Sequence, residues 1–124
     1  MPTTTAHAPR HIAVGAWGER RAEDYLRRLG WTVLERNWRC SRGEVDLVAV
    51  DTCAVTVLVE VKTRSGRGYG SPLEAITKAK QAKLRELAVE YRRSHRVRSV
   101  RVDAVGVLRD RDGAEISHVR GALA

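Results

Sequence analysis

The sequence lacks the features of zinc-binding, membrane-spanning, secreted or ATP-hydrolysing proteins. Its two cysteines, Cys40 and Cys53, are too few and too far apart for a disulfide framework or a zinc site, so we expect free thiols. No run of about 18 apolar residues exists to span a membrane. The first eleven residues have no apolar stretch of the signal-peptide kind, so we expect a cytoplasmic protein. The glycine-rich stretch after Arg64 does not match a P-loop, which leaves ATP hydrolysis unsupported.

The chain also has no internal repeat and no sign of a second domain. Its 124 residues suffice for one hydrophobic core but not for two. The polar start of the chain contains two prolines and predicts a disordered leader over residues 1–11. We therefore expect one domain over residues 12–124.

Acidic residues are in the minority, which makes the chain strongly basic. It has 23 lysines and arginines against 15 acids, for a net charge of +8. This excess favours a polyanionic partner, with DNA preferred to RNA, and arginine forks suit phosphate in particular. Charge alone does not decide the matter, because many basic proteins bind no nucleic acid.

A predicted β-hairpin organises the chain, because two β-branched, nearly apolar runs flank a short turn. The runs are Gly43–Asp51 and Val55–Arg64. In an antiparallel pair folded about residue 53, Asp46 falls opposite Glu60 and Glu44 falls opposite Lys62. Since side chains alternate along a strand, Glu60 and Lys62 share one face. Two carboxylates and an ammonium group therefore converge on a sheet that is otherwise apolar.

Such a convergence needs a reason, because an unpaired buried carboxylate costs several kcal/mol. Asp46 and Glu60 could bind Mg²⁺ or Mn²⁺, since Mg²⁺ in particular takes oxygen ligands and often uses only one or two protein carboxylates. Lys62 could then orient or deprotonate an attacking water. The alternative is a structural ion pair from Lys62 to Asp46 or Glu44, with Glu60 at the sheet edge in water.

At these residues the chain resembles restriction-endonuclease-like nucleases, whose active sites read Asp…Glu-x-Lys. The wider layout resembles the YraN family of predicted nucleases related to Holliday-junction resolvases. The matching segments are Gly15–Glu19, Ala22, Tyr25–Leu26, Gly43–Ala49 and Val59–Arg64. The resemblance covers roughly residues 12–108. One departure from the wider superfamily is that Val45, rather than proline, precedes Asp46.

The resemblance implies an α/β fold with a mixed sheet of about five strands flanked by helices. It also implies a metal-dependent nuclease acting on structured or branched DNA, with Asp46 and Glu60 as metal ligands and Lys62 as a catalytic group. Two cuts on a symmetric junction would need two active sites, so a homodimer is a further expectation. A non-catalytic nucleic-acid-binding protein on the same scaffold is the alternative function.

A helix is predicted from Val14 or Gly15 to Leu29, with Gly30 as its C-terminal cap. Its apolar stripe comprises Ala22, Tyr25, Leu26 and Leu29. Glu19 lies on the inward side near the helix start, where it could complete the metal site, as the resemblance implies. Stabilisation of the helix dipole explains the same residue equally well. The glycines at 15 and 18 would allow a close approach to the sheet.

A second helix is predicted to begin at Ser71-Pro72 or at Thr77 and to reach about Arg93. Its apolar face would comprise Ala79, Ala82, Leu84, Leu87, Ala88 and Tyr91. The remaining strands are predicted at Trp31–Arg39, at Val100–Leu108 and at a short C-terminal edge. Asp103, in the second of these strands, is interpreted as structural.

Six residues are candidates for nucleic-acid contacts because they flank the predicted site. They are Arg39, Arg42, Arg64, Arg67, Lys80 and Gln81. The resemblance implies the last two, since relatives place a lysine or glutamine there. For each residue the alternative is a solvated turn, loop or helix face. Trp31 and Trp38 could stack on bases, but core or edge packing is the preferred interpretation.

Overall fold

The computed structural model describes residues 10–65, 76–111 and 113–123, with side chains from Gly15 onward. The elements in order are α1 (Arg10–Arg28), β1 (Thr32–Cys40), β2 (Gly43–Val50), β3 (Thr56–Ser65), α2 (Lys78–His95), β4 (Val100–Asp110) and β5 (Gly113–Val119).

The five strands form one sheet in the order β1-β2-β3-β4-β5. Strands β3 and β4 are parallel, and the other neighbours are antiparallel. The parallel pair needs a crossover, and α2 lies within that connection. The predicted α/β class and mixed five-stranded sheet are confirmed, and the layout is consistent with a restriction-endonuclease-like fold.

Helix α1 begins earlier than predicted and ends at Arg28, one residue before the predicted end. It starts at Arg10, so the start at Val14 or Gly15 was wrong and the last two residues of the predicted leader are helical; residues 1–9 lie outside the described part. The chain leaves the helix at Gly30, whose φ of 87° suits glycine. Leu29 is 39% exposed, so its place in the apolar stripe was also wrong, because it lies in the turn beyond the last helical residue.

Helix α2 begins at Lys78, with Thr77 as its N-cap. The Thr77 hydroxyl accepts a 3.1 Å hydrogen bond from the Lys80 N–H, which favours the Thr77 start. The alternative start at Ser71-Pro72 lies outside the described residues. The buried face is narrower than predicted and consists of Leu84, Leu87 and Tyr91. Ala79 and Ala82 are exposed because they lie off the stripe that meets the sheet.

Hydrophobic side chains cover both faces of the sheet, which is why its central strands are almost wholly apolar. On one face, Ala22 and Leu26 of α1 pack on the odd-numbered apolar residues of β3 and β4. On the other, Leu84, Leu87 and Tyr91 of α2 pack on Val45, Val48, Leu58 and Val102. Trp31 is buried in the first layer, and Trp38 packs edge-on against Tyr91 in the second. The preferred packing role of both tryptophans is thereby supported.

Asp103 lies in a buried polar network in the α1 layer. Its carboxylate accepts hydrogen bonds from Arg101 at 2.8 Å and from the backbone N–H of Gly121 at 3.0 Å. It also bonds the His118 ring at 2.9 Å, and Arg101 continues to Asp51 at 2.9 Å. These hydrogen bonds outweigh desolvation and lower the pKa of Asp103. The structural interpretation of Asp103 fits these contacts.

Candidate active site

The candidate site lies where strands β2 and β3 separate. Their ladder runs from Val50↔Thr56 to Leu47↔Val59, which is the register predicted for a hairpin folded about residue 53. Beyond this last pair, the Asp46 carboxylate accepts a 2.7 Å hydrogen bond from the Val61 N–H. The Asp46 side chain thus accepts a hydrogen bond that a strand carbonyl would otherwise accept, and this bond fixes the carboxylate at the end of the β2–β3 ladder.

An irregularity in β2 sets the position of Asp46. Leu47 packs in the α1 layer, whereas Val45 and Val48 both pack in the α2 layer, so strict alternation fails at Asp46. Opposite, Asn37 lies between the residues of β1 that pair with Leu47 and Val45, and it has a left-handed φ of 51°. Asparagine tolerates this conformation better than most residues. The distortion places the acid between the two layers.

The carboxyl groups of Asp46 and Glu60 are close enough to hydrogen-bond to each other. Lys80, from the first turn of α2, lies with Nζ 3.2 Å from Oε2 of Glu60. Burial and the Asp46 charge raise the pKa of Glu60 to about 7, even though Lys80 and Lys62 act in the opposite direction. Burial also raises the pKa of Asp46. Among the described residues, Lys80 and Lys62 therefore leave the partly buried acid pair under-compensated.

Glu19 approaches the pair from α1. The helix can come this close because Gly18 lies against Thr63 of β3, where an added Cβ would stand 1.9 Å from the threonine Oγ1. The Glu19 carboxylate accepts a 3.3 Å hydrogen bond from Asn37. Burial, followed by the Asp46 charge, raises the pKa of Glu19. Glu19 is therefore within electrostatic reach of Asp46, and its role at the metal site stays a prediction.

Lys62 lies on the Glu60 side of β3, since Val59 and Val61 pack in the opposite layer. Its charge lowers the pKa of Glu60, so the two groups are near one another. The alternative that left Glu60 in water is wrong, because this side chain is only 12% exposed and contacts Lys80. Glu44, the other proposed partner of Lys62, pairs with Arg39 at 3.0 Å.

The candidate nucleic-acid residues are only partly brought together. Arg39 pairs with Glu44 at 3.0 Å, and Arg42 pairs with Glu86 at 3.3 Å; both arginines remain exposed at the turn between β1 and β2. Arg64 is half-buried, and its Nε has no hydrogen-bond partner among the residues the structure describes. Gln81 is half-buried on α2. Arg67 lies outside the described residues, and Lys80 lies within the acid cluster.

Sequence reasoning named Lys80 as a candidate near the site, but it missed two structural roles that shape the site. The first is the role of Lys80 as counter-charge to Glu60, which depends on how the β3–α2 connection folds back. The second is that of Asn37, which orients Glu19; its only local signal is the tolerance of asparagine for left-handed backbone.

The acid pair offers a divalent cation two carboxylates. In the described ranges no group of three or more histidine, cysteine, aspartate or glutamate side chains is arranged to hold a metal. Two carboxylates fit Mg²⁺, which keeps several waters and takes further oxygens from a substrate phosphate. A bound divalent cation would offset the excess negative charge of these carboxylates.

No described helix is both long and apolar enough to cross a membrane.

Known proteins similar to this chain share most of its length. The model of the uncharacterised protein family UPF0102 matches residues 18–107. A UPF0102 protein from Beutenbergia cavernae is 51% identical over 88% of this chain and 94% of its own. One from Nocardioides sp. is 48% identical over 96% of this chain and 98% of its own.

The chain is also similar to a solved structure, that of Pyrococcus furiosus SfsA in complex with Ca²⁺. The match covers 89% of this chain and 63% of the SfsA chain, at 15% sequence identity. Its TM-score is 0.35, which is too low to support any argument. The residues matched by the family model include Glu19, Asp46 and Glu60. The chain therefore belongs to the uncharacterised protein family UPF0102, which is the YraN family that its motifs resemble.

Proposed function

We propose that this protein is a divalent-metal-dependent nuclease that hydrolyses phosphodiester bonds in structured or branched DNA. The observation that carries the proposal is the pairing of Asp46 and Glu60, two partly buried carboxyl groups that influence each other's pKa, with Nζ of Lys80 3.2 Å from Glu60. Such a pair is costly to the fold, and functional sites are where such costs are usually found. The net charge of +8 supports a nucleic-acid substrate, whereas branched DNA rests on family analogy.

Asp46 and Glu60 would hold Mg²⁺ or Mn²⁺. When bound, the ion supplies Lewis-acid activation of the phosphodiester and of its attacking water. The Val61 N–H fixes the Asp46 carboxylate, so this ligand is oriented before the ion arrives. Lys80 neutralises part of the charge of Glu60. Lys62, on the same side of β3, would orient the water and stabilise negative charge that develops on the phosphate.

Calorimetric titration with Mn²⁺ tests the metal site without any assumption about the substrate. We expect the wild type to bind, and Asp46→Ala and Glu60→Ala to lose binding. Asp24→Asn, on the exposed face of α1, removes one negative charge elsewhere and should leave Mn²⁺ binding intact. If the wild type shows no binding, even with a DNA junction present, the proposed metal site is wrong.

Cleavage of a panel of branched, duplex and single-stranded DNA tests the activity. Asp46→Asn should abolish cleavage while preserving DNA binding, because it removes a negative charge and retains an oxygen acceptor for the Val61 N–H. DNA binding without cleavage by the wild type, at any Mg²⁺ or Mn²⁺ concentration, would favour the non-catalytic alternative.

A further inference from the structure

A second cluster, outside the acid pair, combines an aromatic ring with two arginines. The guanidinium carbon of Arg21 lies 5.9 Å from the Trp17 ring centroid, and that of Arg109 lies 5.4 Å from the same ring. Trp17 and Arg21 are one turn apart on α1, whereas Arg109 comes from the end of β4. Trp17 is half-buried against the α1-side core. Two positive groups from separate elements are thus held at one fixed ring.

This Trp17–Arg21–Arg109 cluster adjoins the part of α1 that carries Glu19, on the face of the sheet opposite Glu60 and Lys62. Trp17, Gly18 and Glu19 are consecutive: Gly18 abuts Thr63, and Glu19 approaches Asp46. Arg109 is aligned with Ser65 in the β3–β4 register. The cluster therefore flanks the end of β3 that follows Glu60 and Lys62.

The chemistry of a stacked guanidinium suits phosphate. Arginine binds an aromatic ring with its flat face, which leaves the N–H groups at its edge available for two-pronged bonds to phosphate oxygens. Contact with the ring also restricts the arginine side chain before binding, so less conformational entropy is lost when it binds phosphate.

Trp31 provides an internal comparison, because Arg101 and Arg120 each lie 5.6 Å from its ring. There the ring is buried, and Arg101 donates hydrogen bonds to Asp51 and Asp103. The hydrogen bonds explain the position of Arg101, whereas Arg120 is exposed. At Trp17 the ring is half-buried and Arg109 is exposed.

We propose that Trp17, Arg21 and Arg109 form a clamp for the nucleic-acid phosphate backbone, on the α1 side of the metal site that Asp46 and Glu60 would form. The inference rests on the proposed function, since the strand held is the substrate. Arg21 and Arg109 contact phosphates, and Trp17 is a positioning residue. The clamp is independent of base sequence, because it reads only the backbone.

The test is DNA affinity against salt concentration, measured by fluorescence anisotropy with a labelled DNA junction in EDTA. Arg21→Gln and Arg109→Gln should each weaken binding and reduce the slope of log K against log salt by about 0.9 for duplex arms. The matched control is Arg20→Gln, which removes the same charge from the neighbouring, exposed position on α1. Equal slope changes for the Arg20 and Arg21 variants would overturn the clamp.

Variants of Trp17 separate positioning from charge. Trp17→Leu should weaken DNA binding with little change in the salt slope, and Trp17→Tyr should restore part of the affinity, because a ring is present again. Thermal unfolding of both variants checks that they are folded. If Trp17→Leu is folded and binds as the wild type does, Trp17 has no positioning role and the proposal fails.

The EDTA condition keeps this inference apart from the nuclease proposal. If the Arg21 and Arg109 variants lose DNA affinity in EDTA but the wild type cleaves no DNA when metal is added, the clamp proposal stands and the nuclease proposal is refuted. Cleavage and binding that are unaltered in both variants would refute the clamp alone.

Discussion

Nζ of Lys80 lies 3.2 Å from Oε2 of Glu60, so the first turn of α2 supplies a positive charge to a carboxylate on β3. The contact is incomplete compensation, since burial and Asp46 still raise the pKa of Glu60 to about 7. The folded protein is therefore less stable when Glu60 is ionised, and measurements of the unfolding free energy against pH can detect this.

Glu60→Gln should stabilise the metal-free protein at pH 8 and have little effect at pH 4. An acid whose pKa is raised on folding holds a proton in the folded state after the unfolded state has lost it, so stability falls as pH rises from about 4.5 to 7. The gain at pH 8 should be on the order of 1–3 kcal/mol. Urea unfolding at both pH values measures it. An equal effect of the variant at pH 4 and pH 8 would show that Glu60 does not titrate abnormally.

Lys62→Ala should lower the rate of DNA cleavage about 100-fold or more, because a positioned charge at a developing anion contributes that much. Mn²⁺ affinity should change little, since Lys62 is not a ligand. Single-turnover cleavage and calorimetry separate the two effects. Lys83→Ala, an exposed lysine of α2 paired with Glu86, is the matched control. Unchanged cleavage by Lys62→Ala would remove its catalytic role.

Gly18→Ala should destabilise the fold by about 1–3 kcal/mol, because the added methyl group overlaps Thr63 and pushes α1 from the sheet. It should also lower cleavage, since Glu19 moves with the helix. Gly15→Ala is the matched control: nothing lies within 4 Å of its added Cβ, so it should be neutral or stabilise by about 0.5–1 kcal/mol. Thermal unfolding compares them. The close-approach argument fails if the two variants have equal stability.

Asp103→Asn should destabilise the protein by about 1–3 kcal/mol, because it removes the buried anionic partner of His118 and one of the two carboxylate partners of Arg101, which keeps Asp51. The wild type should gain this stability above the unfolded pKa near 4 and lose it as pH falls through the lower folded pKa. Acid unfolding of the variant should therefore be flatter in this range. If the unfolding free energy of the variant falls with pH as steeply as that of the wild type, other groups cause the acid sensitivity.

Much of the candidate site follows from local pattern. The β-branched runs on either side of one short turn predict a hairpin folded about residue 53, and this register places Asp46 near Glu60. Glu19 also follows from pattern, because its spacing from Ala22 and Leu26 puts it on the buried side of α1.

Other features depend on contacts distant in sequence. Lys80 meets Glu60 only after the chain crosses over to α2, and Arg101 meets Asp51 across 50 positions. Similarly, Glu23 is buried with two arginine partners. The pair with Arg27 follows from its spacing of four residues on the helix, whereas the pair with Arg36 of β1 does not. The irregularity at Asp46 depends on the left-handed Asn37 of the neighbouring strand. Such pairings are set by packing, so sequence periodicity does not reveal them.

The hydrogen bond from the Val61 N–H to Asp46 also gives the site its own spectroscopic reporter. Most amides of a sheet are protected by strand carbonyls and exchange with solvent when the sheet opens. The Val61 amide is protected by a side chain instead. Its exchange rate and chemical shift should therefore follow any ion or phosphate that draws the Asp46 carboxylate away, while the amides of the paired ladder remain unchanged.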